Sequence, residues 1–382
     1  MSPAFSNSAP SRPGGRFAGR ARVLPRALLR RFLRVHRRER PVAPRRILIA
    51  HHLLAGDVLM LTPLLAKLRE QHADADIVLA VRGAVAPLYS GRPYGVRTLV
   101  YEPREARTLN AFFDEPGFDL AFVPGDNRYS WLAAAAGARW IVAFAGDRPA
   151  VKSWPVDEEV SYDDSPAAWG DMVARLAQGA PPRPYRPADW PAPACAPFDA
   201  PAGRYAVLHV EASTVLRHWE DAKWLSLAET LSENKIDPIW SAGPTGGALL
   251  KRIDPSGRFP ALGEKLDLPQ LWHLVAGAAL LVCPDTSVMH LGRVTGTPTV
   301  ALLGPTSAPL SGPGEFWRES PFRTVTVADF PCRDQKLLFK REIAWVRRCQ
   351  RTLAECPAPR CMHAIGTEEV AQAALDCARH AG

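Results

Sequence analysis

From Arg46 onward the chain alternates short apolar runs with stretches whose apolar residues fall three and four apart. "ILIA" reads as a buried strand over residues 47–50 and Leu54-Ala55-Gly56 as a tight loop. The stretch from Asp57 reads as a helix with apolar residues at 58, 61, 64, 65 and 68. "ADIVLAVRG", "GVRTLVYEP", "FDLAFVPGD" and "ARWIVAFAG" read as four further strands. Apolar strands separated by helical patterns imply a parallel sheet covered on both faces.

Residues 179–203, "GAPPRPYRPADWPAPACAPFDAPAG", are too dense in Pro to continue a sheet or helix and read as a semi-rigid linker. Beyond it the same rhythm restarts. "YAVLHV", "DPIWSAGP", "ALLVCP" and "PTVALLG" read as strands, and "DAKWLSLAETLSEN", "DLPQLWHLVAGA" and "TSVMHLGRVTG" as helices. The pattern therefore predicts an α/β protein with two doubly wound, Rossmann-like domains, 46–178 and 204–382. Such a pair binds ligands in a cleft where the carboxyl ends of both sheets face each other.

Charge changes the picture at the amino terminus. The 382-residue chain carries +8, yet residues 1–46 hold thirteen Arg against the single acid Glu39, so the remainder is net acidic. That distribution argues against a nucleic-acid-binding domain. Within the arm of residues 1–45, Leu24, Leu28, Phe32 and Val35 recur at helical spacing with arginines between them. A basic amphipathic helix of this kind suits an anionic lipid surface; the alternative is an Arg-rich, disordered extension. No apolar run approaches the ~20 residues of a membrane span, and no apolar signal region follows the start. A cytosolic protein is expected, its seven Cys reduced or metal-bound rather than paired.

Three places carry candidate chemistry. Asp57 follows Gly56 at a strand-to-helix turn, where a carboxylate can act as general base or merely cap a helix. "EASTVLRHW" follows a strand and offers Ser213 and Thr214, with Arg217 as a planar cation suited to phosphate oxygens. "LLVCPDTSVMHLGRVTG" ends a strand in Asp285 and opens a helix at Thr286 and Ser287, with His290 one turn on. Backbone N–H groups at such a helix start bind phosphate. Two phosphate-binding elements in one domain suggest a diphosphate, and the absence of GxGxxG and GxxxxGK[ST] disfavours a dinucleotide redox site and a P-loop.

These stretches, with "ILIAHHLLAGDVLMLTPLLAKLRE", "LRHWEDAKWLSLAETL" and the final "CMHAIGTEEVAQAAL", resemble glycosyltransferase family 9, the ADP-heptose:lipopolysaccharide heptosyltransferases. The resemblance runs from about Arg46 to the C-terminus and implies a GT-B fold with an acceptor-side N-terminal domain and a nucleotide-sugar-binding C-terminal one. It implies inverting displacement in which Asp57, beside Gly56 of the acceptor-side loop, takes a proton from an acceptor hydroxyl. Ser213, Thr214, Arg217, Asp285, Thr286, Ser287 and His290 then form the donor site, and the leaving diphosphate needs no metal. Implied partners are a nucleotide-sugar donor and a lipid-anchored oligosaccharide, met at the cytoplasmic face of the inner membrane, to which the arm would hold the enzyme peripherally.

The sequence departs from the family in three places. Ser287 replaces a usual Gly; His51 and Leu53 stand where relatives carry basic and small polar residues; and Gly246, Gly247 and Ala248 occupy the place of an acid that holds the donor ribose. Cys332, Cys349, Cys356 and Cys361 cluster near the C-terminus without paired CxxC spacing. Unbound thiols are expected there, with zinc or iron, as in a protein-glycosylating branch of the family, as the alternative. Trp219 is expected to pack rather than stack on a base. The competing functional readings are a same-fold transferase with another donor or a protein acceptor, an epimerase of similar fold, and a degenerate nucleotide-binding member.

Overall fold

The computed structural model describes residues 15–32, 39–262 and 266–379. The rest of the expected arm, residues 1–14 and 33–38, lies outside them. The chain divides into two compact units, the first made of residues 1–53, 74–86 and 96–160, the second of 54–73, 87–95 and 161–382.

The first unit is built on six parallel strands: β1 Arg46–Ile49, β2 Asp76–Val81, β3 Arg97–Val100, β4 Phe118–Val123, β5 Ala138–Phe144 and β6 Glu158–Val160. Their order, β3-β2-β1-β4-β5-β6, is that of a doubly wound sheet whose direction of winding reverses between β1 and β4. β6 lacked an apolar signature because Glu158 and Glu159 dominate it. The helix Gly15–Phe32 lies against this unit, burying Val23 and Ala27. Arg26 donates to the carbonyls of Phe113 (2.9 Å) and Ala135 (3.2 Å), and Arg31 pairs with Asp157 at 3.0 Å.

The second unit carries β7 Tyr205–His209, β8 Asp237–Ser241, β9 Leu280–Pro284, β10 Thr299–Leu302 and β11 Phe322–Val325. These are ordered β11-β10-β9-β7-β8, all parallel. The winding reverses between β7 and β9, so the loops after those two strands border the position where such sheets bind ligands. Trp219, Trp224, Leu227 and Trp240 fill the core beneath, together with Ile365, Val370 and Ala374 near the end of the chain. Trp219 packs there as expected, donating from Nε1 to the Ile365 carbonyl at 3.1 Å. β12 Leu337–Leu338 and β13 Arg341–Glu342 form a short hairpin in the irregular C-terminal segment.

The helix expected from Asp57 is two, Ala55–Leu59 and Thr62–Gln71. Pro63 sits in the first turn of the second, where its missing N–H costs nothing. Gly56 accordingly lies inside a helical turn rather than in a loop. Both helices associate with the second unit: Ala55–Leu59 packs on the helix Ser287–Thr295, and Thr62–Gln71 on Trp169–Ala174. The Pro-rich segment also lies on this unit, with Tyr185 donating to Val294 at 2.5 Å and Trp190 stacked obliquely on Tyr89 at 5.1 Å.

Candidate active site

β9 ends in Pro284 because the chain must leave the sheet to start the helix Ser287–Thr295. Thr286, not Asp285, is the cap: its hydroxyl accepts from the Val288 N–H at 3.1 Å. Asp285 is thereby free for another task. Its buried carboxylate accepts from the Thr306 hydroxyl in the loop after β10 and lies 3.4 Å from Arg217 Nη2. Arg217 Nη1 also donates to the Asp285 carbonyl at 3.0 Å. Arg217 belongs to the loop after β7, a single helical turn capped by Thr214, whose hydroxyl accepts from Leu216 at 3.3 Å. The loops on either side of the topological switch are thus tied to each other by one guanidinium. Ser213 is exposed beside them, and Thr286 and Ser287 are partly exposed at the helix tip.

Asp57 reaches this place through its own short helix. A Cβ on Gly56 would stand 3.0 Å from His290 Cδ2 and 3.2 Å from Ser287 Cα, so the two helices meet where Gly56 offers no side chain. Asp57 is partly exposed, and the Leu54 backbone amide favours its ionised form. Removal from water, with the charge of Asp285 second, pushes its pKa up to about 6; Arg348 and Arg217 oppose that rise. A carboxylate so tuned is a stronger base than an ordinary one while remaining mostly ionised at neutral pH.

His290 differs from its companions. It is buried and held far below the usual histidine range by desolvation and by the Arg293 charge, so it is neutral. Its Nδ1 lies 3.2 Å from Arg293 Nη1. Arg293 is itself buried over the Phe322 ring at 3.8 Å, so this pair braces the helix against β11.

Two residues at the site were not anticipated. Glu211, just past β7, accepts from the Gly243 N–H at 2.7 Å and the Thr245 hydroxyl at 3.0 Å. A Cβ on Gly246 would approach Glu211 Oε2 to 2.7 Å, so the glycines after β8 make room for a carboxylate delivered from the neighbouring strand. The sequence signal was the Glu in "VEAST", which only strand adjacency connects to "SAGPTGG". The second is Arg348, whose charge acts on Asp285, Arg217 and Asp57 from the C-terminal segment.

The C-terminal cysteines converge in part. Cys332 and Cys349 influence each other: burial raises the pKa of Cys332, with the charge of Cys349 next. Burial also pushes the Cys361 thiol up to about 11. Cys356 Sγ donates instead to the Ala358 carbonyl at 2.9 Å. Among the described residues no group of three or more His, Cys, Asp or Glu side chains is arranged to hold a metal ion. A separate cavity lined by Arg204, Ala279, Thr297, Pro298 and Pro321 opens at the amino-terminal ends of the second sheet's strands, away from Asp285.

Residues 117–316 match the model of glycosyltransferase family 9 (heptosyltransferase). Over 323 residues the chain is 23% identical to lipopolysaccharide heptosyltransferase 3 of Escherichia coli, covering 74% of this chain and 89% of that protein. Its match to lipopolysaccharide heptosyltransferase 1 of Pseudomonas aeruginosa is 30% identical over 138 residues, 35% of this chain and only 36% of that relative's length. Among solved structures, E. coli ADP-heptose lps heptosyltransferase II superposes with a TM-score of 0.66 at 16% identity, covering 88% of this chain and 99% of the other. The dodecameric iron-containing heptosyltransferase TibC, in complex with ADP-D-beta-D-heptose, gives 0.54 at 14% identity over 89% and 77%. These likenesses identify the two parallel-sheet units as a GT-B fold.

Proposed function

Since the chain belongs to glycosyltransferase family 9, we propose that it transfers a heptose, with inversion, from an ADP-heptose-type donor to a hydroxyl of a lipopolysaccharide core acceptor. The observation that carries this reading is the Arg217–Asp285 tie at the tip of the helix Ser287–Thr295, with the Asp57 helix packed against the same tip. A diphosphate bound there meets a guanidinium and the positive end of a helix start. Asp57 takes the proton of the acceptor hydroxyl as its oxygen attacks the anomeric carbon. The bond to the diphosphate breaks, and the charge that builds on its oxygens is met by Arg217, the helix tip and the hydroxyls of Ser213, Thr214 and Thr286. Glu211 supplies the carboxylate for the donor ribose that the 246–248 stretch lacks, as acids do at Rossmann strand ends.

The acceptor is read as lipid-anchored at the cytoplasmic face of the inner membrane. Among the described residues no helix is long and apolar enough to cross a membrane. Support comes instead from the helix Gly15–Phe32, which leaves Leu24, Leu28, Leu29 and Phe32 exposed beside Arg22. Trp154 of the same unit is 48% exposed, and Arg31 lies 5.7 Å over its ring. Apolar side chains and Trp ringed by Arg suit an anionic lipid interface. The expected division of labour gives acceptor binding to residues 46–178 and donor binding to 204–382, with 179–203 joining them.

A second reading, the same chemistry with another donor or a protein acceptor, draws on the clustered thiols Cys332 and Cys349. Thermal-shift measurements against ADP-, UDP-, GDP- and CDP-sugars, followed by transfer assays with heptose-deficient lipopolysaccharide, separate the readings. Saturation at about 100 times the dissociation constant adds ~2.7 kcal/mol of stability for the true donor. Stabilisation by none of them, or by the nucleotide without turnover on any acceptor, overturns the proposal.

A further inference from the structure

Arg348 is carried by a segment that crosses the carboxyl end of the second sheet. Its backbone pairs with Gln335 in both directions at 2.9 Å, and the next N–H, of Cys349, donates to the Pro305 carbonyl at 2.8 Å. Pro305 precedes Thr306, whose hydroxyl bonds the Asp285 carboxylate. Arg333 fastens the same segment to the carbonyls of Gly304 at 2.6 Å and Val327 at 2.8 Å. The backbone that bears Arg348 is therefore anchored one residue from a direct partner of the helix-tip acid.

The side chain contrasts with Arg217. Among the described residues no carboxylate is recorded within ion-pair distance of Arg348, and its side chain donates from Nη1 to the Leu337 carbonyl at 3.5 Å. The side chain is only partly exposed, and loss of water, ahead of any charge, lowers its pKa. Asp285, the nearest acid by its effect, is already engaged by Arg217 and Thr306. A guanidinium held out of water without a close counter-ion gains most from an arriving anion.

Resting on the diphosphate reading of this site, we propose that Arg348 is a second donor-phosphate cation, delivered from the C-terminal segment to complement Arg217, that binds the diphosphate and steadies it as it leaves. Arg217 enters from the β7 loop and Arg348 from the C-terminal segment anchored beside Thr306, so two guanidiniums from different parts of the chain act on the Asp285 end of the helix. Each suits the bidentate geometry of a phosphate. The groups facing Asp57 are then Asp285 from β9, Arg217 from the β7 loop and Arg348 from the C-terminal segment.

The test is calorimetry with ADP and, separately, inorganic pyrophosphate on the full chain and on R348A, R348K and R347A. Arg347 is exposed and, among the described residues, bonds only the Ala344 and Val346 carbonyls, making it the control. R348A is expected to weaken both ligands tenfold or more, R348K to recover part of the loss, and R347A to leave both unchanged. The acid limb of kcat/KM should also move to higher pH in R348A, since a cation facing Asp57 is gone. ADP affinity retained in folded R348A, or a rise confined to the acceptor KM, overturns the inference. Should the unaltered chain bind no nucleoside diphosphate, it is the functional reading that fails.

Discussion

Arg217 donates to the Asp285 carbonyl at 3.0 Å while its second nitrogen lies 3.4 Å from the same residue's carboxylate. One side chain thus joins the loops after β7 and β9, the adjacent strands between which the winding of the sheet reverses. On the donor-site reading, phosphate affinity and the order of the two loops are expected to be coupled through it.

Replacing Arg217 by Ala is therefore expected to do more than remove one charge. Charge-assisted hydrogen bonds contribute ~1.5–3 kcal/mol each, which corresponds to a ten- to hundredfold loss of nucleoside diphosphate affinity. Calorimetry decides the matter; undiminished affinity would remove Arg217 from the site.

Asp57→Asn should abolish transfer, by at least the ~100-fold typical of a lost general base, with ADP affinity nearly unchanged. It should also stabilise the protein. The native carboxyl keeps its proton up to about pH 6, whereas an ordinary Asp loses it near 3.8, so stability falls as pH rises between them. After discounting for partial exposure, Asn should recover ~1–2 kcal/mol at neutral pH. In the unaltered enzyme kcat/KM should decline below about pH 6 as the carboxylate is protonated. Equal loss of binding and turnover would make Asp57 structural.

Glu211→Gln separates ribose from phosphate recognition. It should weaken ADP about tenfold, as loss of a charge-assisted bond implies, and leave inorganic pyrophosphate binding intact. A matching loss of both would mean that the carboxylate only shapes the Gly243–Gly246 turn.

Three buried histidines set an acid limit on the fold. Burial lowers His51 to about 3 and His209 to about 4, and holds His290 well below its ordinary value. Below about pH 6.5 the unfolded chain gains protons that the native chain refuses, so stability falls with pH. His51 and His209 each contribute ~2 kcal/mol of that loss by about pH 4.5, and His290 acts in the same direction. Denaturant titrations should show the slope flattened in His209→Gln; an unchanged slope would refute the assignment.

The helix Gly15–Phe32 offers a membrane test. Exchanging exposed Leu29 and Phe32 for Ser should reduce sedimentation with anionic liposomes, by roughly 1.5–3 kcal/mol per apolar side chain no longer buried. Turnover on a detached core oligosaccharide should not change. Equal sedimentation of both proteins would return this face to a purely internal role against the first unit.

Much of this was legible locally. Apolar runs marked β1 to β5 and β7 to β10, and the residues after β7 and β9 raised a phosphate-binding expectation through their types alone. β6 and β11 escaped because their exposed and charged positions, Glu159 and Arg323 among them, interrupt the apolar run.

What the sequence by itself determined is the set of strands, the helix start at Thr286 and the kinds of side chain available at 57, 217 and 285. Tertiary structure decided their partners. It relieved Asp285 of capping so that Arg217 and Thr306 could hold it, allied the Asp57 helix with Ser287 through Gly56, and brought Glu211 over the glycines after β8. It also carried Arg348 to Asp57 from nearly three hundred residues away in the chain. The reason is physical: periodicity and capping act within a few residues along the backbone, whereas strand order and loop closure set which distant charges share a low-dielectric place.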